Sequence, residues 1–245
     1  MKEGNTARKA GSWTVVGGGL LITAAVIALF NPRFGILDLR EVVVQGNHAT
    51  SAAEIVSASE LARGQNLLTL SVRSVRARVS TLPWIKSVSV RRSLPHALMI
   101  SVEERNPICW MGTDNQCLVL GEGGVVVSGD CALASRLPEI VGGVVDAARA
   151  GGRLVDHRMI DGIEQILHAS LPGLLIRRID VSDVGSIRLE TEQGVRVLLG
   201  GLTTVGERLV ALAALCQRFD MGEYDTIDLR FGGEAVLAPR KAVKR

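Results

Sequence analysis

Residues 87 to 107 read SVSVRRSLPHALMISVEERNP. Val88 and Val90 alternate with polar neighbours, and Leu98, Ile100 and Val102 do the same beyond SLPH (residues 93–96). Each run therefore keeps one apolar face in the two-residue period of a strand, and SLPH is a short hairpin loop. The stretch is an amphipathic β-hairpin.

The segment before it supplies the rest of a small domain. REVVVQGN (residues 40–47) is a β-rich run closed by the turn signal Gly46-Asn47. Ser51 and Glu54 have capping-box spacing, which places a helix start there, and Gly64 is placed to end that helix. Val72, Val75, Val79 and Leu82 recur at three and four residues and predict a second helix, stopped by Pro83, with Arg73, Arg76 and Arg78 off the stripe. The order is β-α-α-β-β.

Before this unit, Ala10 to Pro32 carries no charged residue, and WTVVGGGLLITAAVIALF (residues 13–30) supplies eighteen residues, close to the roughly 20 that a membrane-crossing helix needs. Lys2, Arg8 and Lys9 precede it and Trp13 sits at its start, so the positive-inside bias puts the N-terminus in the cytoplasm and the remainder outside. A cleaved signal peptide ending near Val26-Ile27-Ala28 is the competing reading; the apolar stretch is longer than the ~7–15 residues of a signal-peptide core.

Composition narrows the function. Hydrophobic residues make up 47% of the 245, enough for a substantial core, while aromatics at 3% leave little from which to build a nucleic-acid stacking platform. The basic bias is local: residues 63–105 carry eight Lys or Arg against Glu103 and Glu104, whereas residues 106–245 carry fifteen basic against eighteen acidic side chains. That basic face reads as solvated rather than as a site for lipid headgroups. His48, His96, His157 and His168 are scattered, and no H-E-x-x-H, G-x-S-x-G, G-x-G-x-x-G or phosphate-loop motif occurs. No catalytic constellation emerges, and no metal or cofactor is expected.

The chain beyond Asn106 reads as β-rich with interspersed helices. CLVLGEGGVVVSG (117–129) forms two strands around Glu122-Gly123-Gly124; Met159, Ile163, Ile166 and Leu167 mark a helix. LLIRRIDVS, SIRLET and VRVLLG follow as strands, the last two joined at Gln193-Gly194. A second helix opens with a candidate capping box, Thr204 with Glu207, and carries Val205, Leu209, Leu212, Cys216 and Phe219 on one stripe. None of Cys109, Cys117, Cys131 and Cys216 has C-x-x-C spacing, which argues against a zinc site. Cys117 and Cys131 flank the 117–129 hairpin and are the candidate disulfide, although a turn centred on Glu122-Gly123 leaves them about three residues out of register. Buried thiols are the alternative.

The sequence from VVVQGN through SAAEIV and GQNLLTLSVRSVRARVSTLPWIKSVSVRRSLPHALMISVEERNPICW resembles a POTRA (polypeptide transport-associated) domain. Leu82-Pro83-Trp84-Ile85, Pro95 and Glu104-Arg105-Asn106-Pro107 are similar to the signature of the FtsQ/DivIB cell-division proteins. The resemblance implies an α+β architecture: cytoplasmic tail (1–12), transmembrane helix (13–32), POTRA domain (36–105), β-domain with two or more helices (106–238) and basic tail (239–245). It also implies a non-enzymatic scaffold of the inner membrane and division septum, with FtsB and FtsL as partners of the β-domain, and FtsK, FtsW and FtsI as partners of the POTRA and membrane segments. The rival classes are a POTRA-bearing transport or outer-membrane assembly component and a cell-wall enzyme.

IDLRFGG (227–233) is similar to the family's terminal strand motif, where FtsB is captured. The resemblance therefore points to Thr226, Asp228, Leu229, Arg230, Phe231, Gly232, Gly233 and Glu234 as partner-binding residues on a free sheet edge. Phe231, one of eight aromatic residues, is the expected anchor; the alternative is that it closes the core. A Tyr is common at this position in the family, so no hydroxyl contact carries over.

Overall fold

A computed structural model describes Thr23 and residues 36–113, 116–231 and 234–240. The expected membrane helix at 13–32 and the tail beyond Arg240 lie outside these residues. Among the described residues no helix is long and apolar enough to cross a membrane. The chain divides into two compact units that meet between Glu104 and Arg105.

The first unit follows the expected order: β1 (Glu41–Gln45), α1 (Ala52–Ser59), α2 (Val72–Val79), β2 (Ile85–Ser93) and β3 (Ala97–Glu104). β3 is central, parallel to β1 and antiparallel to β2, with Val90 opposite Ile100 and Val88 opposite Val102. Leu98, Ile100, Val102 and Val90 meet Ile55 of α1 and Val75 and Val79 of α2 in one core. Each such burial removes a full side chain from water and contributes about 1.5–3 kcal/mol. Gly46 is required by geometry: its φ is +84°, and a Cβ there would lie 2.1 Å from the Val102 carbonyl oxygen.

Both helices start on serine caps, Ser51 accepting from the Glu54 amide at 3.1 Å and Ser71 from the Ser74 amide at 3.2 Å. Their ends differ from expectation. Glu60, in the left-handed region at φ 52°, caps α1 four residues before Gly64, and its carboxylate pairs with Arg78 at 3.1 Å. Gly64 instead turns the chain so that its amide reaches the Leu39 carbonyl at 3.0 Å. The second helix closes at Ser80, ahead of Pro83.

The second unit is a nine-stranded mixed sheet in the order β12-β11-β10-β9-β8-β7-β4-β5-β6. Its strands are β4 (Pro107–Thr113), β5 (Gln116–Gly121), β6 (Val125–Ser128), β7 (Glu139–Val141), β8 (Ile176–Asp180), β9 (Ile187–Thr191), β10 (Arg196–Gly200), β11 (Tyr224–Asp228) and β12 (Val236–Pro239). Parallel neighbours need a crossover. Helix α4 (His157–His168) lies in the connection between the parallel pair β7 and β8, and α5 (Val205–Cys216) in that between β10 and β11; a four-residue α3 (Cys131–Ala134) follows β6. Ile179, Leu189, Val197 and Ile227 pack with Ile163 and Ile166 of α4 and Leu209 and Leu212 of α5. The alternate strand residues, charged for the most part, occupy the opposite face.

Thr204 does not form the expected capping box. Its hydroxyl donates to the Gly201 carbonyl at 3.1 Å within a 3-10 turn, Leu202–Thr204, and makes no cap bond to the helix. Cys117 and Cys131 are joined, their Cα atoms 5.2 Å apart. Two features remove the offset expected from a simple hairpin. The register shifts between Val119 and Leu120, so that Val119 faces Ser128; continued by two residues, it sets Cys117 against Asp130. Cys131 then sits one residue farther on, at the first position of α3 rather than on the strand. Cys109 is a buried free thiol, which burial pushes far above its ordinary pKa, and Cys216 is half-buried.

Candidate partner-binding edge

The two ends of the large sheet are built differently. At one end, the outer side of β6 is occupied: the Val126 amide donates to the Gly152 carbonyl at 2.8 Å, the Val126 carbonyl accepts from the Gly151 amide at 2.8 Å, and the Gly124 carbonyl accepts from the Leu154 amide at 2.9 Å. A bridge between Val125 and Arg153 completes that cover. At the other end, β12 pairs with β11, and among the described residues no further backbone bond reaches Val236–Pro239. Its outer amides and carbonyls form the open edge.

This arrangement corrects the reading of IDLRFGG as the terminal strand. β11 ends at Asp228 and is flanked by β10 and β12, so it is an interior strand. Ile227 is fully buried and Leu229 is 2% exposed, and the Leu229 amide extends the β10 ladder by donating to the Leu198 carbonyl at 2.9 Å. Thr226 pairs with Arg196 on one side and Ala238 on the other. Gly232 and Gly233 lie outside the described residues.

Where the strand stops, a charge pair bends the chain. Asp228 accepts from the Arg230 amide at 3.0 Å and from its guanidinium at 3.0 Å (Nε) and 2.6 Å (Nη2). That guanidinium, outweighing burial, holds the Asp228 carboxyl below the usual carboxylate range, and Asp228 in turn raises Arg230. The Arg230 guanidinium lies 6.0 Å from the centre of the Phe231 ring. Phe231 is past the strand and 56% exposed, so it does not close the core. Its carbonyl accepts from Arg208 Nη1 of α5 at 3.2 Å and from the Glu234 amide at 3.3 Å, which ties the turn to the helix. Val236, 53% exposed, follows on β12.

On the outward face of β8, β9 and β10, with β11 between it and β12, is a trough lined by Arg178, Asp180, Arg188, Glu190, Arg196 and Arg230. Its charges are cross-paired between strands: Arg178 with Glu139 at 2.6 Å and Glu190 at 3.8 Å, Arg188 with Asp180 at 4.0 Å, Arg196 with Asp225 at 3.1 Å. Exposed pairs of this kind contribute little to stability, about 0–1 kcal/mol each. They do give that face a patterned charge distribution. Sequence reading missed β12, Arg208 and the trough. The signals were present in the letters: the turn-type dipeptide Gly232-Gly233 precedes the apolar run Ala235-Val236-Leu237, and RRID and RLE alternate charges at period two.

Comparisons with known proteins identify the family. Residues 37–105 match the family model described as POTRA domain, FtsQ-type, and residues 109–230 match that of Cell division protein FtsQ/DivIB, C-terminal. The chain belongs to the FtsQ/DivIB family of cell-division proteins. It is 31% identical over 211 residues to the cell division protein FtsQ of Caulobacter vibrioides, covering 84% of this chain and 65% of that relative. It is 25% identical over 212 residues to FtsQ of Corynebacterium glutamicum (81% of this chain, 86% of the relative) and 24% identical over 156 residues to DivIB of Clostridium acetobutylicum (62% and 63%). The match to the FtsQ/DivIB C-terminal model ends at Arg230, so Phe231, Glu234 and β12 lie just beyond it.

Proposed function

We propose that this chain is a non-enzymatic, single-pass scaffold of the bacterial division machinery, anchored in the inner membrane at the septum with its N-terminus cytoplasmic and both units periplasmic. It gathers FtsB and FtsL through the second unit, and links early and late division proteins, FtsK, FtsW and FtsI among them, through the first unit and the membrane segment. The observation that carries this reading is the unequal pair of sheet ends: β6 covered, β12 open. An extended segment of FtsB adds as a strand to β12, gaining affinity from main-chain bonds. Specificity comes from Phe231 and Val236 at the edge and from Arg230 and the neighbouring trough, with Asp228 and Glu234 shaping the turn.

The Cys117–Cys131 bond supports placement on the oxidising side of the membrane. The scarcity of aromatic residues and the absence of a catalytic motif favour a binding protein over a nucleic-acid binder or a cell-wall enzyme. A fluorescent fusion tests the reading against the transport alternative. A midcell ring of the chain that persists in the Phe231→Ala, Val236→Lys double variant, while a fluorescent FtsB loses its own ring, is the expected result; a uniform envelope signal for the unaltered chain contradicts it.

A further inference from the structure

Among its described residues the first unit exposes two large apolar side chains, Ile36 (44%) and Leu94 (56%), that are far apart in sequence. Backbone bonds bring their neighbourhoods together. The Arg40 amide donates to the His96 carbonyl at 2.8 Å, the Leu67 amide to the Leu37 carbonyl at 2.8 Å, and the Leu39 amide to the Gln65 carbonyl at 2.8 Å. The His96 ring Nδ1 lies 3.2 Å from the Asp38 carbonyl. Residues 36–40, the 63–67 loop and the β2–β3 hairpin tip thus form one end of the unit. Arg40, Arg63 and Arg91 are exposed there. Arg92 adds a fourth positive charge while its Nε and Nη2 hold the Leu67 and Leu70 carbonyls at 2.6 and 2.7 Å. Asp38 and Glu41 are the opposing carboxylates, so the end carries a net positive charge.

This is also the end by which the chain arrives. With residues 13–32 as the span, only residues 33–35 precede Ile36, and three residues reach at most about 11 Å. The headgroup layer beyond the hydrocarbon is itself about 5–8 Å deep. We infer that this end of the first unit docks on the bilayer: Leu94 and Ile36 enter the interface while Arg40, Arg63 and Arg91 meet the phosphates of anionic phospholipids. An apolar tip ringed by arginines suits that boundary, because the hydrocarbon side chains leave water and the guanidiniums stay at headgroup level. Arg73 and Arg76 lie on α2, and the docking does not require them. Docking fixes the tilt of the first unit relative to the bilayer. The inference rests on the membrane-span reading.

The test uses the full chain in nanodiscs of pure phosphatidylglycerol or pure phosphatidylcholine, followed by hydrogen exchange of peptides covering residues 61–67 and 91–97. Exchange about fivefold slower in the anionic discs is expected. A Leu94→Ser, Arg63→Glu double variant loses that protection while its 98–104 amides exchange as before, which shows the unit still folded. Equal rates in both lipids, with the chain retained in the discs, overturn the docking. A chain that does not enter the discs overturns the span and the docking together.

Discussion

β6 and β12 terminate the same sheet, yet one end is closed and the other open. The outer side of β6 bonds to residues 151–154, and the adjoining helix is joined to β5 by Cys117–Cys131. β12 has four residues, ends in Pro239 and carries exposed Val236. An uncovered edge is an aggregation hazard that folds usually suppress with short strands, prolines or a covering loop. Among the described residues one edge is covered and the other is only shortened. Under the proposed function, β12 is the side kept available for another chain.

Substitutions at the two ends should therefore differ in kind. Val126→Asp places a carboxylate at a fully buried position of the closed end, and a loss above about 4 kcal/mol, seen as an unfolded second unit by circular dichroism, is expected. Replacing both Cys117 and Cys131 by Ser frees a loop of sequence separation 14, with an expected loss of about 3 kcal/mol in denaturant unfolding. Asp228→Asn removes one side of the Arg230 pair, at about 1 kcal/mol near neutral pH. The folded-state pKa of Asp228 is depressed, so that contribution is present above the unfolded value of about 3.9 and is lost as pH falls through the folded one. Melting temperatures of the two proteins should accordingly converge as pH falls below the depressed folded-state value. Val236→Lys at the open end should alter stability by less than about 0.5 kcal/mol, and a larger loss in the same unfolding assay would mean that the edge is part of the core.

The first unit was legible because its chemistry is local. Period-two faces in β2 and β3, the α2 stripe and the Ser51 cap each set one element, and the element order followed. Glu104 shows what locality leaves out. Burial alone would raise its carboxyl, but the amides of Ala49, Thr50 and His48, at 2.7–3.0 Å, outweigh that and hold it below its ordinary pKa. The signature Glu-Arg-Asn-Pro was visible as letters; its tie across more than fifty residues was not. Helix ends differ for a related reason: Arg78 of α2 reaches the Ser59 carbonyl at 3.1 Å and the Glu60 carboxylate, contacts that the local spacing of Gly64 does not encode. At the candidate site, the sequence reading put IDLRFGG on a free edge, whereas the structure places β11 inside the sheet. Strand order is set by crossovers such as α5, which inserts β11 beside β10 and leaves the outermost position to β12.

Backbone hydrogen exchange at the two sheet ends, with and without the periplasmic segment of FtsB, tests the central claim most directly. Strand addition at β12 predicts slowed exchange over residues 236–238 on binding, no change over 125–128, and loss of the effect in the Val236→Lys, Phe231→Ala variant. Binding that leaves the β12 amides at their free rates, or that protects β6 instead, would contradict it.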